Sequence, residues 1–172
     1  VEGWRDAGHA KVVLTEQRIR ADHPRRTLSS DLVLDTGPRL RFGDLVVRGN
    51  ERVRTDRIRA IAGLPTGAVY DPEELDDAAE RLRRTGAFRA VSLNDAETVR
   101  AGDVLDIEAQ LVEQEPRRIG GGAELSSTEG VGLTAFWMHR NLLGGAENLR
   151  FDLDIENIGN TADDNGVAVR VD

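Results

Sequence analysis

The residue types that most often bind metals or catalyse reactions are few and scattered in this sequence. The three histidines, His9, His23 and His139, are far apart, and no His-x-x-x-His or related ligand spacing occurs. The sequence contains no cysteine, which excludes thiolate zinc sites, disulfides and cysteine nucleophiles. We therefore predict that there is no metal site and no catalytic histidine.

Carboxylates are arranged more regularly near the end of the chain. Asp152, Asp154 and Glu156 alternate with apolar residues, which places the three carboxylates on one face of a strand. That face could line a cation site, but we favour a wet, charged strand face, as in sheets with one solvated side. Asp163-Asp164-Asn165-Gly166 lacks the alternating ligands and the distal glutamate of a calcium loop, and it predicts a turn.

Other motifs associated with enzymes are incomplete. Gly120-Gly121-Gly122 is not followed by the Lys-Ser/Thr of a phosphate-binding loop, and it indicates flexible or bulged strand backbone. The serines lie outside any Gly-x-Ser-x-Gly elbow. Four carboxylates between 73 and 77 crowd the start of a predicted helix, where they favour its dipole. We therefore predict a protein that is not an enzyme and binds no cofactor.

The composition limits the remaining classes. The 172 residues include 31 acidic and 23 basic side chains, a formal net charge of −8, which argues against a nucleic-acid surface. A hydrophobic content of 39% is enough for one or two small cores. The longest stretch without charge, 60–70, is far shorter than the roughly 18 apolar residues of a spanning helix. We predict no transmembrane helix.

Residues 39–115 have the pattern of a β-α-α-β-β unit. The second helix carries the clearest signals, with Asp71 as N-cap, Pro72 at the first position and apolar residues at helical spacing up to Leu82. The apolar stripes of the helices and strands need partners, so the helices must cover one face of the sheet. The predicted elements are a strand at 40–47, a helix capped by Thr55, the helix from Pro72 to the stop at Gly86, and strands at 88–93 and 104–112.

The first 38 residues repeat the end of this unit. Gly8 and Gly86 are offset by the same number of residues as Pro38 and Pro116, and strands are predicted at 9–19 and 27–35. Past Pro116 the pattern is of strands alone, at 119–125, 131–138, 149–156 and 167–171. Alternation of apolar and charged residues in 149–156 is shared by soluble sandwiches and by membrane β-barrel strands.

Six motifs follow one another along the chain: Arg41-Phe42-Gly43, Val47-Arg48-Gly49-Asn50, Tyr70-Asp71-Pro72-Glu73-Glu74-Leu75, Leu82-Arg83-Arg84-Thr85-Gly86-Ala87-Phe88, Gly122-Ala123-Glu124, and the run from Trp137 to Glu147. In this order they resemble the outer-membrane protein assembly and translocation superfamily, which includes BamA-like and TamA-like proteins and the bacterial surface antigens. The resemblance implies an α+β fold, in which POTRA domains (β-α-α-β-β) are followed by antiparallel strands from the start of a membrane β-barrel. The last two motifs resemble the TamA-like branch.

The resemblance also implies domain boundaries. We expect the end of one POTRA domain at 1–38, a complete POTRA domain at 39–115 and the first barrel strands at 116–172. About four strands cannot close a barrel, which needs at least about eight. The only methionine is Met138, and we expect the sequence to be a fragment of a longer chain.

The implied function is assembly or translocation of proteins at the bacterial outer membrane, with the POTRA domains in the periplasm. The implied partners are unfolded outer-membrane or autotransporter proteins, a periplasm-spanning TamB-like accessory protein, and outer-membrane lipid through the full barrel. A peripheral strand of the POTRA sheet would bind added strands through main-chain hydrogen bonds. Its residues are Phe88, Arg89, Ala90, Val91, Ser92 and Leu93.

Three alternatives stay open from the sequence. The chain could come from a BamA-like insertase or a two-partner secretion pore. It could also be a soluble POTRA-type protein-binding module, in which 117–172 form an ordinary sheet. The strand at 88–93 could equally be a solvated edge without a partner.

Overall fold

A computed structural model describes residues 2–126, 130–158 and 166–171 of the chain. The predicted α+β class and the β-α-α-β-β order of the middle region are confirmed. Of the turns predicted at 128–130 and 163–166, most residues lie outside the described part of the chain. The elements are α1 (Glu2–Asp6), β1 (Val13–Asp22), β2 (Thr27–Asp35), β3 (Arg41–Arg48), α2 (Thr55–Ala62), α3 (Pro72–Arg84), β4 (Phe88–Arg100), β5 (Val104–Glu113), β6 (Arg117–Ser126), β7 (Gly130–Arg140), β8 (Asn148–Ile158) and β9 (Gly166–Val171).

The strands form three sheets. β1 and β2 are an antiparallel pair, β3, β5 and β4 form a sheet in that order, and β6 to β9 form an antiparallel sheet in chain order. β3 and β5 run parallel, because the crossover between them includes the two helices. Since β5 lies in the middle, β4 is a terminal strand of its sheet. No helix in the described part of the chain is long and apolar enough to cross a membrane.

Local signals set the ends of α3. The Asp71 carboxylate accepts a hydrogen bond from the Glu73 N–H at 2.9 Å, as expected of an N-cap. Gly86 has a φ of +66°, the left-handed conformation that ends many helices. Thr55 differs from the prediction, because it is the first residue of α2 and its hydroxyl accepts a hydrogen bond from the Asn50 side chain.

Two strand boundaries were predicted wrongly. β4 continues to Arg100 although 94–100 is polar and we expected a connection there. An edge strand can keep its main-chain pairing while its side chains stay in water, so polarity does not end it. β1 begins at Val13 and not at His9, because the chain turns after α1 and the Val12 N–H donates to the His9 carbonyl.

The contacts divide the chain into two compact units. The first comprises the chain up to Arg48, 62–80 and 92–110, and the second comprises 49–61, 81–91 and the chain from Leu111 onward. Each has its own buried apolar side chains. In the first they include Val12, Leu40, Phe42, Tyr70, Leu75, Leu105 and Ile107, and in the second Val53, Ile58, Leu82, Phe88, Leu111 and Met138.

The sheet of β6 to β9 has two different faces. Cross-strand partners share a face, and Ile119, Trp137, Phe151 and Val171 lie in one such row. The neighbouring row on the opposite face contains Gly120, Phe136, Asp152 and Arg170. One face of this sheet is therefore apolar and the other is largely polar.

Candidate functional site

The predicted binding residues lie at the start of β4, on an edge of the β3-β5-β4 sheet. Phe88 is buried, Val91 and Leu93 are half-buried, and the residues between them are exposed. One row of main-chain groups in a terminal strand has no neighbouring strand within its sheet. The edge position is observed, whereas binding of a partner strand stays a prediction.

The second half of β4 is contacted by the start of the chain. The Arg5 guanidinium donates from Nη2 to the Tyr70 hydroxyl at 2.6 Å and to Asp95 Oδ2 at 3.0 Å. The Lys11 ammonium donates to the Ala96 carbonyl at 2.7 Å. Sequence reasoning missed these contacts, because they join residues far apart in the chain and no local motif marks them.

Tyr70 lies at the centre of this contact. Its side chain packs against Phe42, with ring centroids 5.3 Å apart, and the residue is fully buried. Burial raises the pKa of Tyr70 to about 12. The phenol therefore stays neutral, and Asp95 provides the negative charge that faces Arg5.

Main-chain hydrogen bonds hold the same segment in place. The Gly8 carbonyl accepts from the Leu40 N–H at 2.8 Å, and the Leu40 carbonyl accepts from the Tyr70 N–H at 2.9 Å. A Cβ atom at Gly8 would lie 2.7 Å from Val69 Cγ1, so only glycine fits. We refer to residues 4–12 as the docked segment.

Glu113, at the end of β5, binds the loop that leads into α2. One carboxylate oxygen of Glu113, Oε1, accepts hydrogen bonds from the N–H groups of Glu51, Arg52 and Val53 at 2.8 to 2.9 Å. Burial raises the pKa of Glu113, but these three donors outweigh it and the pKa lies below its ordinary value. The charged carboxylate thus fixes the loop that leads into α2.

The loop between β7 and β8 contacts the start of α2. The Arg54 N–H donates to the Gly144 carbonyl at 3.1 Å, and Arg57 Nε donates to the Gly145 carbonyl at 3.2 Å. Glu147 orders this loop by accepting from the Leu143 and Gly145 N–H groups. Its pKa is lowered, first by a hydrogen bond from its own N–H and then by these two donors.

The polar face of the β6 to β9 sheet is organised around Phe136. The guanidinium carbon of Arg150 lies 4.4 Å from the ring centroid, and that of Arg118 lies 5.8 Å from it. Arg150 also binds both oxygens of Asp152, and this hydrogen bonding lowers the pKa of Asp152. A Cβ atom at Gly120 would overlap the Phe136 ring, so the glycine makes room for the ring.

The predicted carboxylate row is therefore partly engaged by arginine. Asp152 is paired with Arg150 at 2.6 Å, which favours a charged strand face over a cation site. In the described residues, no group of three histidine or carboxylate side chains is close enough to hold a metal ion. His9 Nδ1 lies 3.0 Å from the Gly37 carbonyl, and the His139 ring packs near Trp137.

The opposite face of this sheet exposes large apolar side chains. Ile119 is 77% exposed and Val169 is 68% exposed. These side chains form a contiguous exposed apolar surface, which is larger than scattered single apolar residues would give. The other members are Leu125, Leu133, Phe151, Leu153, Val167 and Val171.

Comparisons with known proteins place these elements. Residues 40–113 match the POTRA family, described as the surface antigen variable number repeat. A comparison with curated proteins gave no significant match. Among solved structures, BamA from Haemophilus ducreyi lacking POTRA domains 1–3 has a TM-score of 0.74 and 20% identity, over 89% of this chain and 29% of that chain.

Two further structures have the same fold. BamA POTRA3–5 from Haemophilus influenzae has a TM-score of 0.57 and 23% identity, over 65% of this chain and 44% of that chain. CdiB from Escherichia coli has a TM-score of 0.54 and 18% identity, over 88% and 27%. This chain thus spans less than half the length of each of these structures.

The prediction of a POTRA domain followed by antiparallel strands is confirmed as a domain match and as a fold. The narrower assignment to the TamA-like branch stays a prediction, since BamA and CdiB are the structures matched here. Residues 40–113 match the POTRA family, and the described chain has a fold similar to that of a POTRA domain followed by antiparallel strands like those at the start of the BamA barrel.

Proposed function

We propose that this chain is part of a TamA-like outer-membrane assembly or translocation factor, and that its POTRA domain binds substrate or partner proteins in the periplasm. The observation that carries the proposal is the terminal position of β4 in a POTRA sheet. Partners would be unfolded outer-membrane or autotransporter proteins, together with a periplasm-spanning TamB-like accessory protein.

Strand addition suits such substrates. An extended chain that joins Phe88–Leu93 would form main-chain hydrogen bonds, which demand little of the partner's sequence. Unfolded outer-membrane strands alternate apolar and polar residues, and the half-buried Val91 and Leu93 offer shallow apolar contact between exposed neighbours.

The exposed apolar face of β6 to β9 supports a membrane position. From Ile119 onward its rows join apolar residues and glycine, while Asp152, Asp154 and Arg170 lie in rows of the other face. We propose that this face contacts outer-membrane lipid within the full barrel, and that the charged face lines its interior.

We further propose that residues 1–38 are the C-terminal part of another POTRA domain. Gly8, like Gly86, has positive φ after a helix, and a hairpin follows in both places. In the first hairpin Leu28 and Leu32 are exposed on the same face. We propose that this apolar face packs against other elements of the same domain.

A BamA-like insertase or a two-partner secretion pore is the second candidate, because the matched structures are BamA and CdiB. A soluble POTRA-type module is the third. Fractionation of source cells with an antibody against 39–115 separates these classes. A band well above 18.8 kDa in the outer-membrane fraction supports a barrel-linked factor, whereas a soluble band near that mass supports the free module.

Strand binding is tested by titrating the full chain in detergent micelles with peptides from outer-membrane strands, followed by amide chemical shifts. We expect perturbations along 88–93. Ser92→Pro should abolish them, since proline removes a main-chain donor. Thr98→Pro is the matched control, because the two positions direct their N–H groups to the same side of β4. The proposal fails if no strand peptide perturbs 88–93.

A further inference from the structure

The docked segment reaches the same strand that is proposed to bind partners. Lys11 donates to the Ala96 carbonyl, and Arg5 donates to the carboxylate of the preceding residue, Asp95. Both contacts lie just beyond the predicted binding residues, which end at Leu93. In the described residues, the start of the chain thus contacts the second half of β4.

These contacts are charge-assisted and partly buried. Charge-assisted hydrogen bonds are about twice as strong as neutral ones, and the Asp95 side chain is only 14% exposed. The docked segment is also fixed by Gly8 to Leu40 and by the burial of Ala10 and Val12. It is therefore a built contact and not a loosely placed terminus.

We propose that the docked segment is a removable cover on the β4 edge, which limits an added strand to the first half of β4. This inference rests on the proposed strand-binding function. A partner strand that pairs along β4 must donate its N–H groups to carbonyl groups of β4. The Ala96 carbonyl of β4 already accepts a hydrogen bond from Lys11. A bound strand can extend beyond Asn94 only if the docked segment is displaced. The length of the bound partner strand and the position of the docked segment are therefore coupled.

The test compares two synthetic strands of alternating apolar and polar residues, about six and about twelve residues long, which match one partner residue to each residue of β4. Both are titrated into the full chain and into Lys11→Ala, in detergent micelles, with amide shifts as the readout. In the unaltered chain we expect similar affinities for the two strands. In Lys11→Ala we expect the longer strand to bind about five- to tenfold more tightly, because further main-chain bonds form.

A second disrupting variant and a control variant accompany this measurement. Arg5→Ala should act in the same direction, but it leaves Tyr70 and Asp95 without their donor, so Lys11→Ala is the decisive variant. Arg18→Ala is the control, because it removes the same charge from the exposed β1–β2 hairpin, where Arg18 pairs with Glu16.

Amide hydrogen exchange gives an independent readout without any peptide. Exchange at 95–100 should rise about tenfold or more in Lys11→Ala and stay unchanged in Arg18→Ala. Binding at 88–93 with equal affinity for both strands in every variant, or unchanged exchange at 95–100, would overturn the cover alone. Absence of binding by both strands to every variant would overturn the proposed function, and the cover with it.

Discussion

Replacing Glu113 by glutamine is expected to lower the free energy of unfolding by about 1–2 kcal/mol. The side chain keeps its size, and its amide oxygen can still accept hydrogen bonds. What it loses is the negative charge that faces three N–H donors at 2.8 to 2.9 Å. The consequence should be a weaker hold on the loop that leads into α2.

The magnitude follows from the type of bond. A hydrogen bond to a charged group contributes about 1.5–3 kcal/mol and a neutral one about 0.5–1.5 kcal/mol. Three donors share one oxygen here, and the carboxylate is partly open to water, so the three differences do not add in full. We therefore take the loss in the free energy of unfolding as about the difference between one charge-assisted and one neutral hydrogen bond.

The pH dependence has a defined sign. Because the folded pKa of Glu113 is lowered, its contribution is fully present above the unfolded value of about 4.3. The contribution is lost as the pH falls through the folded pKa. The difference in stability between the unaltered chain and Glu113→Gln should thus be largest at neutral pH and shrink in acid.

The assay is urea unfolding followed by far-UV circular dichroism, together with amide exchange of residues 51–53. Glu115→Gln is the matched control, since it removes the same charge from an exposed side chain nearby. The reasoning is refuted if both variants have the same unfolding midpoint. It is also refuted if the stability difference persists unchanged well below the pKa of Glu113.

Three further outcomes are expected. Gly43→Ala should destabilise the chain by about 1–3 kcal/mol in urea unfolding, because a Cβ atom there would overlap Asp106 Oδ1, which accepts a hydrogen bond from the Asp44 N–H. Gly3→Ala, which meets no atom within 4 Å, should be neutral or stabilising. Gly120→Ala should displace the Phe136 ring, seen as loss of its ring-current shifts on neighbouring arginine protons. Leu28→Ser should change the free energy of unfolding by less than about 0.5 kcal/mol in urea unfolding, since this side chain is 73% exposed.

The parts of the fold that local signals encode could be predicted from the sequence. α3 follows from its Asp71 cap, the apolar spacing up to Leu82 and the Gly86 stop, all within one short stretch. The strands past Pro116 follow from strict alternation, since side chains of period two reveal both faces of a sheet.

The remaining features depend on contacts between distant residues. Arg5, Tyr70 and Asp95 meet although 65 or more positions separate Arg5 from the others, and no motif signals such a meeting. The extension of β4 to Arg100 was missed because a sheet edge tolerates polar residues. The edge position of Phe88–Leu93 came from the family resemblance, and composition alone could not have given it.

The connection between β2 and β3 has a fixed length. At its start, His9 lies 3.0 Å from the Gly37 carbonyl, and at its end the Leu40 N–H binds the Gly8 carbonyl. An inserted residue between Gly37 and Leu40 would break either the His9–Gly37 contact or the hydrogen bond from Leu40 to Gly8. Among homologues, we therefore expect insertions and deletions to accumulate in the exposed β1–β2 turn at 23–26 and to be rare between β2 and β3. The gap positions in an alignment would then show that the spacing between the first hairpin and residues 39–115 is fixed.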